Sequence, residues 1–183
     1  MCGAPVVLNM LTNHPGRKPL DTLRPRVTTG AVGRHLLQRL LLAGLNRVVG
    51  FIVSHGYGLT ETGGPVVTCA WKQEWNNLAG RERAQLKARQ GVGMIGCPEV
   101  DVVEPDSGKS VARDGSTMGE IVLRGGSTML GYLKDPEGTS KCMREDGWFY
   151  TGDVGVMHPD GCYLEVNSDR SKDVIMVAGA RRI

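Results

Sequence analysis

The chain has 183 residues, 40% of them hydrophobic and 22% charged, with a net charge of +3. That length allows one domain or one and a half with a real core, and the balance is that of an ordinary soluble globular chain. Five scattered cysteines with no C-x-x-C pair argue against a disulfide framework or a zinc site and favour a reducing compartment.

Residues 1–15 read as apolar and partly helical, and the N-terminus lacks the basic region of a signal peptide. Residues 16–25 form a loop rich in proline and arginine. Arg26-Val27-Thr28-Thr29 reads as a short strand ended by Gly30-Ala31. Leu36, Leu37, Leu40 and Leu41 recur at helical spacing and predict a helix over 33–43. The most apolar window, Leu40 to Val53, carries Asn46 and Arg47 and falls short of the about 20 residues a membrane span needs. Within it, Val48-Val49-Gly50-Phe51-Ile52-Val53 has the β-branched bias of a buried strand.

His55-Gly56-Tyr57-Gly58-Leu59-Thr60-Glu61-Thr62 follows that strand. Gly56 and Gly58 flank an aromatic ring and permit close backbone approach. Thr60, Glu61 and Thr62 place two hydroxyls and a carboxylate just past the strand, where open α/β sheets hold ligands. This set suits a phosphate with its Mg²⁺, which takes oxygen ligands and one or two carboxylates. A polar turn is the equal alternative.

Residues 72–90 predict a mostly polar helix with a break at Gly80, held to the body by Trp71 and Trp75. The segment from Lys72 to Arg89 holds five basic and two acidic residues, an excess of +3. No aromatic residue interleaves the basic run, so a solvated helix face is favoured over a nucleic-acid surface. From Gly91 the texture changes to short strands: Val100–Val103, Gly119–Arg124, Trp148–Thr151 and Tyr163–Val166, the last two joined through Pro159-Asp160-Gly161. Their spacing suggests a small barrel or folded sheet. Asp135 can cap a short helix that starts at Pro136. Trp148, Phe149 and Tyr132 read as core. Asp153, in Thr151-Gly152-Asp153, reads as a turn acid or as an acceptor for ribose hydroxyls at a strand end. Asp169-Arg170-Ser171-Lys172-Asp173 reads as a solvated linker.

Taken in order, Tyr57-Gly58-Leu59-Thr60-Glu61-Thr62, Gly119 to Gly125 through Gly131-Tyr132, Tyr150-Thr151-Gly152-Asp153 and Asp169 to Asp173 closely resemble the adenylate-forming superfamily. The segment from Cys69-Ala70-Trp71-Lys72 to Arg89-Gln90-Gly91-Val92 resembles its plant-type acyl-activating branch of acyl-CoA ligases. The resemblance implies an α/β fold, part of the large N-terminal domain of such an enzyme, with a β-barrel-like subdomain. The expected divisions are 1–90, an α/β portion with the adenine loop; 91–168, a β-rich portion; and 169–183, a hinge and the start of a C-terminal domain.

The implied reaction joins a small-molecule carboxylic acid to CoA. Attack on the α-phosphate of ATP gives an acyl-adenylate and pyrophosphate, and the CoA thiol then displaces AMP. Carried over by position, Tyr57 packs against adenine with Gly30 and Ala31 as the other wall, and Gly56 and Gly58 line the cleft. Thr60 binds the α-phosphate and Glu61 holds Mg²⁺. Asp153 holds the ribose hydroxyls with Arg170 beside it, and Lys172 falls at the hinge. His55 lies near the acyl carboxylate or packs at the strand end.

Against the family pattern, the upstream phosphate loop and the C-terminal lysine domain are missing from this sequence. Leu45 to Gly50 looks like an insertion, and Cys162 and one residue of Asn167-Ser168 look like extra residues around a hairpin. A one-residue insertion in a strand reverses its inward face unless a bulge absorbs it. The expectation is a truncated ligase, weak in catalysis, with a non-catalytic adenylate-binding remnant, paired with an intact paralogue or not, and an unstable fragment as alternatives. A cytoplasmic or peroxisomal location is implied by the relatives.

Overall fold

A computed structural model describes residues 15, 28–32, 52–96, 99–160, 164–168, 175–177 and 180–182. The expected helix over 33–43, the insertion at 45–50, Cys162, Arg170 and Lys172 lie outside the described residues.

Strands β1 (Thr28–Val32), β2 (Ile52–Leu59), β3 (Gly64–Thr68) and β4 (Val92–Gly93) form one sheet in that order. β1 and β2 are parallel, and the other pairs are antiparallel. Gly30 and Ala31, expected to end the first strand, lie within β1 and pair with Ser54 and His55. β2 likewise runs on through Gly56-Tyr57-Gly58, so the aromatic motif sits in a strand and not in the turn after it.

A second sheet is an antiparallel meander of β5 (Glu99–Val103), β6 (Gly119–Arg124), β7 (Phe149–Met157) and β8 (Leu164–Ser168). Runs such as Val100-Asp101-Val102-Val103 and Ile121-Val122-Leu123 favour extended backbone because branched side chains pack well on a pleated surface. β9 (Ile175–Val177) and β10 (Ala180–Arg182) form a separate antiparallel pair.

The expected helix over 72–90 is two pieces. A 3-10 helix covers Gln73–Asn77, extended backbone follows at Leu78, and helix α1 covers Gly80–Ala88. Trp75 is buried and meets Trp71 edge to face, which holds the short piece to the body. Helix α2 covers Pro136–Cys142, with the Asp135 carboxylate accepting from the Gly138 amide, as its sequence anticipates.

One hydrophobic cluster joins the two sheets. Tyr57, Val66 and Val67 from the first pack with Val102, Ile121, Leu123, Phe149, Met157 and Leu164 from the second. The backbone ties them as well: the Leu164 amide donates to Gly91 at 2.7 Å, and the Gly91 amide returns a bond to Leu164 at 3.2 Å. Of the three aromatics expected in the core, Phe149 is there. Trp148 is half-buried under the Arg124 guanidinium, and Tyr132 is exposed.

Candidate active site

The site forms where β2 and β7 leave regular geometry. Between β6 and β7 the pairing runs Glu120 with Val154 and then Val122 with Tyr150, so Thr151, Gly152 and Asp153 together face Ile121 alone. This three-against-one bulge is larger than the ordinary two-against-one kind, and such a bulge re-aims side chains. Gly152 takes φ 76° there, a conformation that favours glycine. Three bonds hold the bulge: Thr151 Oγ1 donates to Ile121 O at 2.8 Å, the Asp153 amide donates to Thr151 Oγ1 at 3.1 Å, and the Gly152 amide donates to Glu120 Oε1 at 2.9 Å. Asp153 therefore sits inside a strand, not at its end.

The bulge brings Asp153 to Tyr57, whose hydroxyl donates to Asp153 Oδ2 at 2.7 Å. Both residues are buried, at 6% and 5% exposure. Burial first, and the Asp153 charge second, push the Tyr57 hydroxyl well above the ordinary tyrosine range, so it stays a donor. The Tyr57 ring, expected to face adenine, belongs instead to the hydrophobic cluster and does not line the cleft; its hydroxyl meets the cleft residue Asp153 from behind.

Glu61 is the central residue of the 3-10 turn Thr60–Thr62 that follows β2. Its carbonyl accepts from the Met129 amide at 2.7 Å, and its carboxylate Oε1 accepts from the Tyr132 hydroxyl at 2.8 Å. Glu61, Tyr132, Glu120, Lys141, Arg144 and Asp153 line a cleft of about 330 Å³. Phe149, Tyr150, Thr151 and Gly152 form more of its wall.

The three turn residues have separate places. Thr60 is exposed. Thr62 is buried, and its hydroxyl is spent on backbone, accepting from Leu59 N at 2.9 Å and lying 2.8 Å from Gly64 O. Of the two hydroxyls the sequence offers, Thr60 alone remains for a ligand. Gly56 and Gly58 make room for β3: a Cβ on Gly58 would stand 2.1 Å from Gly64 O, and one on Gly56 2.9 Å from Val67 O. The close approach they permit is to the neighbouring strand.

His55 has the packing role. It is 1% exposed, and Nδ1 lies 2.7 Å from the Ala88 carbonyl, so the ring fastens the C-terminal end of α1. Gln90 supports it from the other side, with Nε2 3.5 Å from His55 Nε2 and Oε1 accepting from the Val166 amide at 2.7 Å. Glu120 and Tyr132 are the site residues that sequence reasoning missed. Glu120 was hidden within a strand pattern, and Tyr132 looked like core because it is aromatic.

Among the described residues, no three His, Cys, Asp or Glu side chains gather as a metal cluster. The donor set at the cleft is instead single carboxylates beside open volume. That fits Mg²⁺, which keeps waters and substrate phosphates as most of its ligands and needs one protein carboxylate. Glu61 is half-buried at the cleft and fits that requirement.

The fold is that of adenylate-forming enzymes. The structure of ATP-bound RpMatB-BxBclM chimera B3 aligns at TM-score 0.76 and 22% identity, covering 98% of this chain and 32% of that one. O-succinylbenzoate coenzyme A synthetase from Bacillus subtilis, in complex with ATP and magnesium, aligns at TM-score 0.69 and 24% identity, covering 98% and 33%. The AMP-binding enzyme family model matches residues 1–133, and the chain belongs to that family. It lies in the plant acyl-activating branch: it is 64% identical to 2-methylpropanoate–CoA ligase CCL4 of Humulus lupulus, over 98% of this chain and 31% of that protein. It is 57% identical to "Probable acyl-activating enzyme 5, peroxisomal" of Arabidopsis thaliana, again over 98% and 31%. The chain thus spans about a third of the length of the curated relatives it matches.

Proposed function

We propose that this chain supplies the nucleotide side of an AMP-dependent acyl-CoA ligase. The observation that carries the reading is the 2.7 Å bond between Tyr57 and Asp153, which brings two of the family's nucleotide motifs to one cleft beside Glu61. A ribose hydroxyl can donate to Asp153 while Tyr57 stays bonded, because an ionised carboxylate has about four acceptor positions. Tyr57 orients that carboxylate, and Glu120 holds the bulge that presents it. Thr60 would contact the α-phosphate. Glu61 would hold Mg²⁺, which offsets the phosphate charge that repels an incoming carboxylate.

The substrates on this reading are ATP, CoA and a carboxylic acid of the kind plant acyl-activating enzymes use. No covalent enzyme intermediate is required, since positioning and charge neutralisation carry adenylation. Gly30 and Ala31 would form the far wall for adenine, Arg170 would stand beside Asp153, and Lys172 would mark the hinge that opens residues 169–183. The name of the Arabidopsis relative supports a peroxisomal location.

Calorimetry with AMP on the whole chain tests the nucleotide reading. Wild type should bind, and Asp153→Ala should lose at least about tenfold in affinity, the scale of one charged hydrogen bond. Undiminished binding by Asp153→Ala would remove the ribose role. Pyrophosphate release over a panel of carboxylic acids then separates an activating enzyme from a chain that only binds adenylate.

A further inference from the structure

Glu61 is gripped twice by one segment, residues 125–135, that the nucleotide reading leaves without a task. The Met129 amide holds its carbonyl at 2.7 Å, and the Tyr132 hydroxyl holds its carboxylate at 2.8 Å. The segment is itself braced. Thr128 N donates to Gly125 O at 3.0 Å, closing a turn before Met129. The Tyr132 amide donates to Thr139 Oγ1 at 2.9 Å, and that hydroxyl donates on to the Asp135 carbonyl at 2.8 Å. Asp135 in turn caps α2 through the Gly138 amide at 2.8 Å. A chain of bonds therefore runs from the start of α2, through Tyr132, to the carboxylate of Glu61.

Tyr132 is 41% exposed. An aromatic ring this open contributes little to the core, so burial does not account for its place. Its polar end, fixed on Glu61 across 71 positions of sequence, is the feature that stands out. The bond occupies Oε1 and leaves the other carboxylate oxygen directed by a fixed partner.

We propose that Tyr132 is a positioning residue: it orients the Glu61 carboxylate so that the metal ion accompanying the nucleotide meets a pre-set ligand. The inference rests on reading Glu61 as the Mg²⁺ ligand. Partners that orient a metal ligand from behind raise affinity by about 10- to 100-fold, and the lower end applies here because the phosphates supply most of the ion's ligands. Tyr132→Phe keeps the ring and removes only the donor.

The test is calorimetric titration of the whole chain with ATP, once with Mg²⁺ and once with a chelator. Wild type should gain affinity from the metal. Tyr132→Phe should lose about tenfold of that gain, measured as the ratio of its affinities with and without Mg²⁺, while its melting temperature stays at the wild-type value. Thr139→Val, which unties the Tyr132 amide but keeps the hydroxyl, should lose part of the same gain and guards against a folding artefact of the first variant. If Tyr132→Phe keeps the full metal-dependent gain while Glu61→Gln loses it, the positioning role is wrong and the metal reading stands. If Glu61→Gln also keeps the gain, the metal reading fails and takes the positioning role with it.

Discussion

Tyr57 and Asp153 stand 96 positions apart in sequence and share one buried hydrogen bond. Each makes the other tolerable: a buried carboxylate without a donor, or a buried hydroxyl without an acceptor, carries a desolvation cost of roughly 1–3 kcal/mol or more. The pair thus serves folding and the proposed site together. Cys69 is a second buried titratable group, and it lies away from the cleft. Burial pushes its thiol from an ordinary value of 9.0 to about 11, against the opposing pull of Lys87 and Arg89. The sign follows from linkage. The unfolded chain begins to ionise this thiol near pH 9 while the folded chain keeps it protonated. Stability is therefore full below pH 9 and falls as pH rises through 11. Cys69→Ala should flatten that alkaline loss by on the order of 2 kcal/mol, read from denaturant midpoints at successive pH values. Parallel curves for the two proteins would place the alkaline sensitivity elsewhere.

At the scale of elements, irregularities in strands build the site. The β2–β3 pairing slips between Tyr57 and Gly58 so that Val66 is the extra residue, and it turns into the core at 1% exposure. The β7–β8 pairing runs Val154 with Ser168 and Gly155 with Val166, which leaves Asn167 extra. A bulge takes up one residue without reversing the strand, so the inward face of β8 is preserved and Leu164 stays buried. The bulge at Thr151–Asp153 is the one that bears on the proposed site. Gly152 has φ 76° with open space where a Cβ would go, so substitution there meets backbone strain and no clash. Gly152→Ala should cost about 1–2 kcal/mol in chemical denaturation, the penalty for a left-handed residue with a Cβ. It should also weaken AMP binding by more than the loss of stability explains. A stability loss with unchanged AMP affinity would mean the bulge does not aim Asp153.

At the scale of the molecule, the two sheets hold each other. Leu164 is fully buried in the shared cluster, and its backbone bonds to Gly91 bridge the sheets. Lys72 and Arg89 add surface links to Asp160 in the β7–β8 turn, at 3.0 Å and 2.6 Å. The first is a hydrogen bond to the Asp160 carbonyl and the second an ion pair with its carboxylate, each worth about 1 kcal/mol, so the apolar contact dominates. Leu164→Ala should cost about 2–5 kcal/mol and should lower protection from hydrogen exchange in β2 and β6 together. Loss confined to β6–β8 would show that the sheets unfold separately. The joint core also explains why the motifs of the first sheet and the bulge of the second reach one cleft.

Most of the strand pattern was legible because local chemistry sets it. Gly119–Arg124 and the cap at Asp135 stand where their residues put them, and alternation and capping need no distant partner. The ordered motifs also disclosed the family, since their sequence order survives whatever the fold does. What needed the tertiary structure was every long-range decision. β2 continues through Tyr57 because β3 pairs with it, His55 packs because α1 ends beside it, and Tyr132 is a cleft residue because the 125–135 segment folds onto Glu61. The reason is common to all three: propensity is a property of neighbours in sequence, whereas burial and hydrogen-bond partners are set by residues tens of positions away.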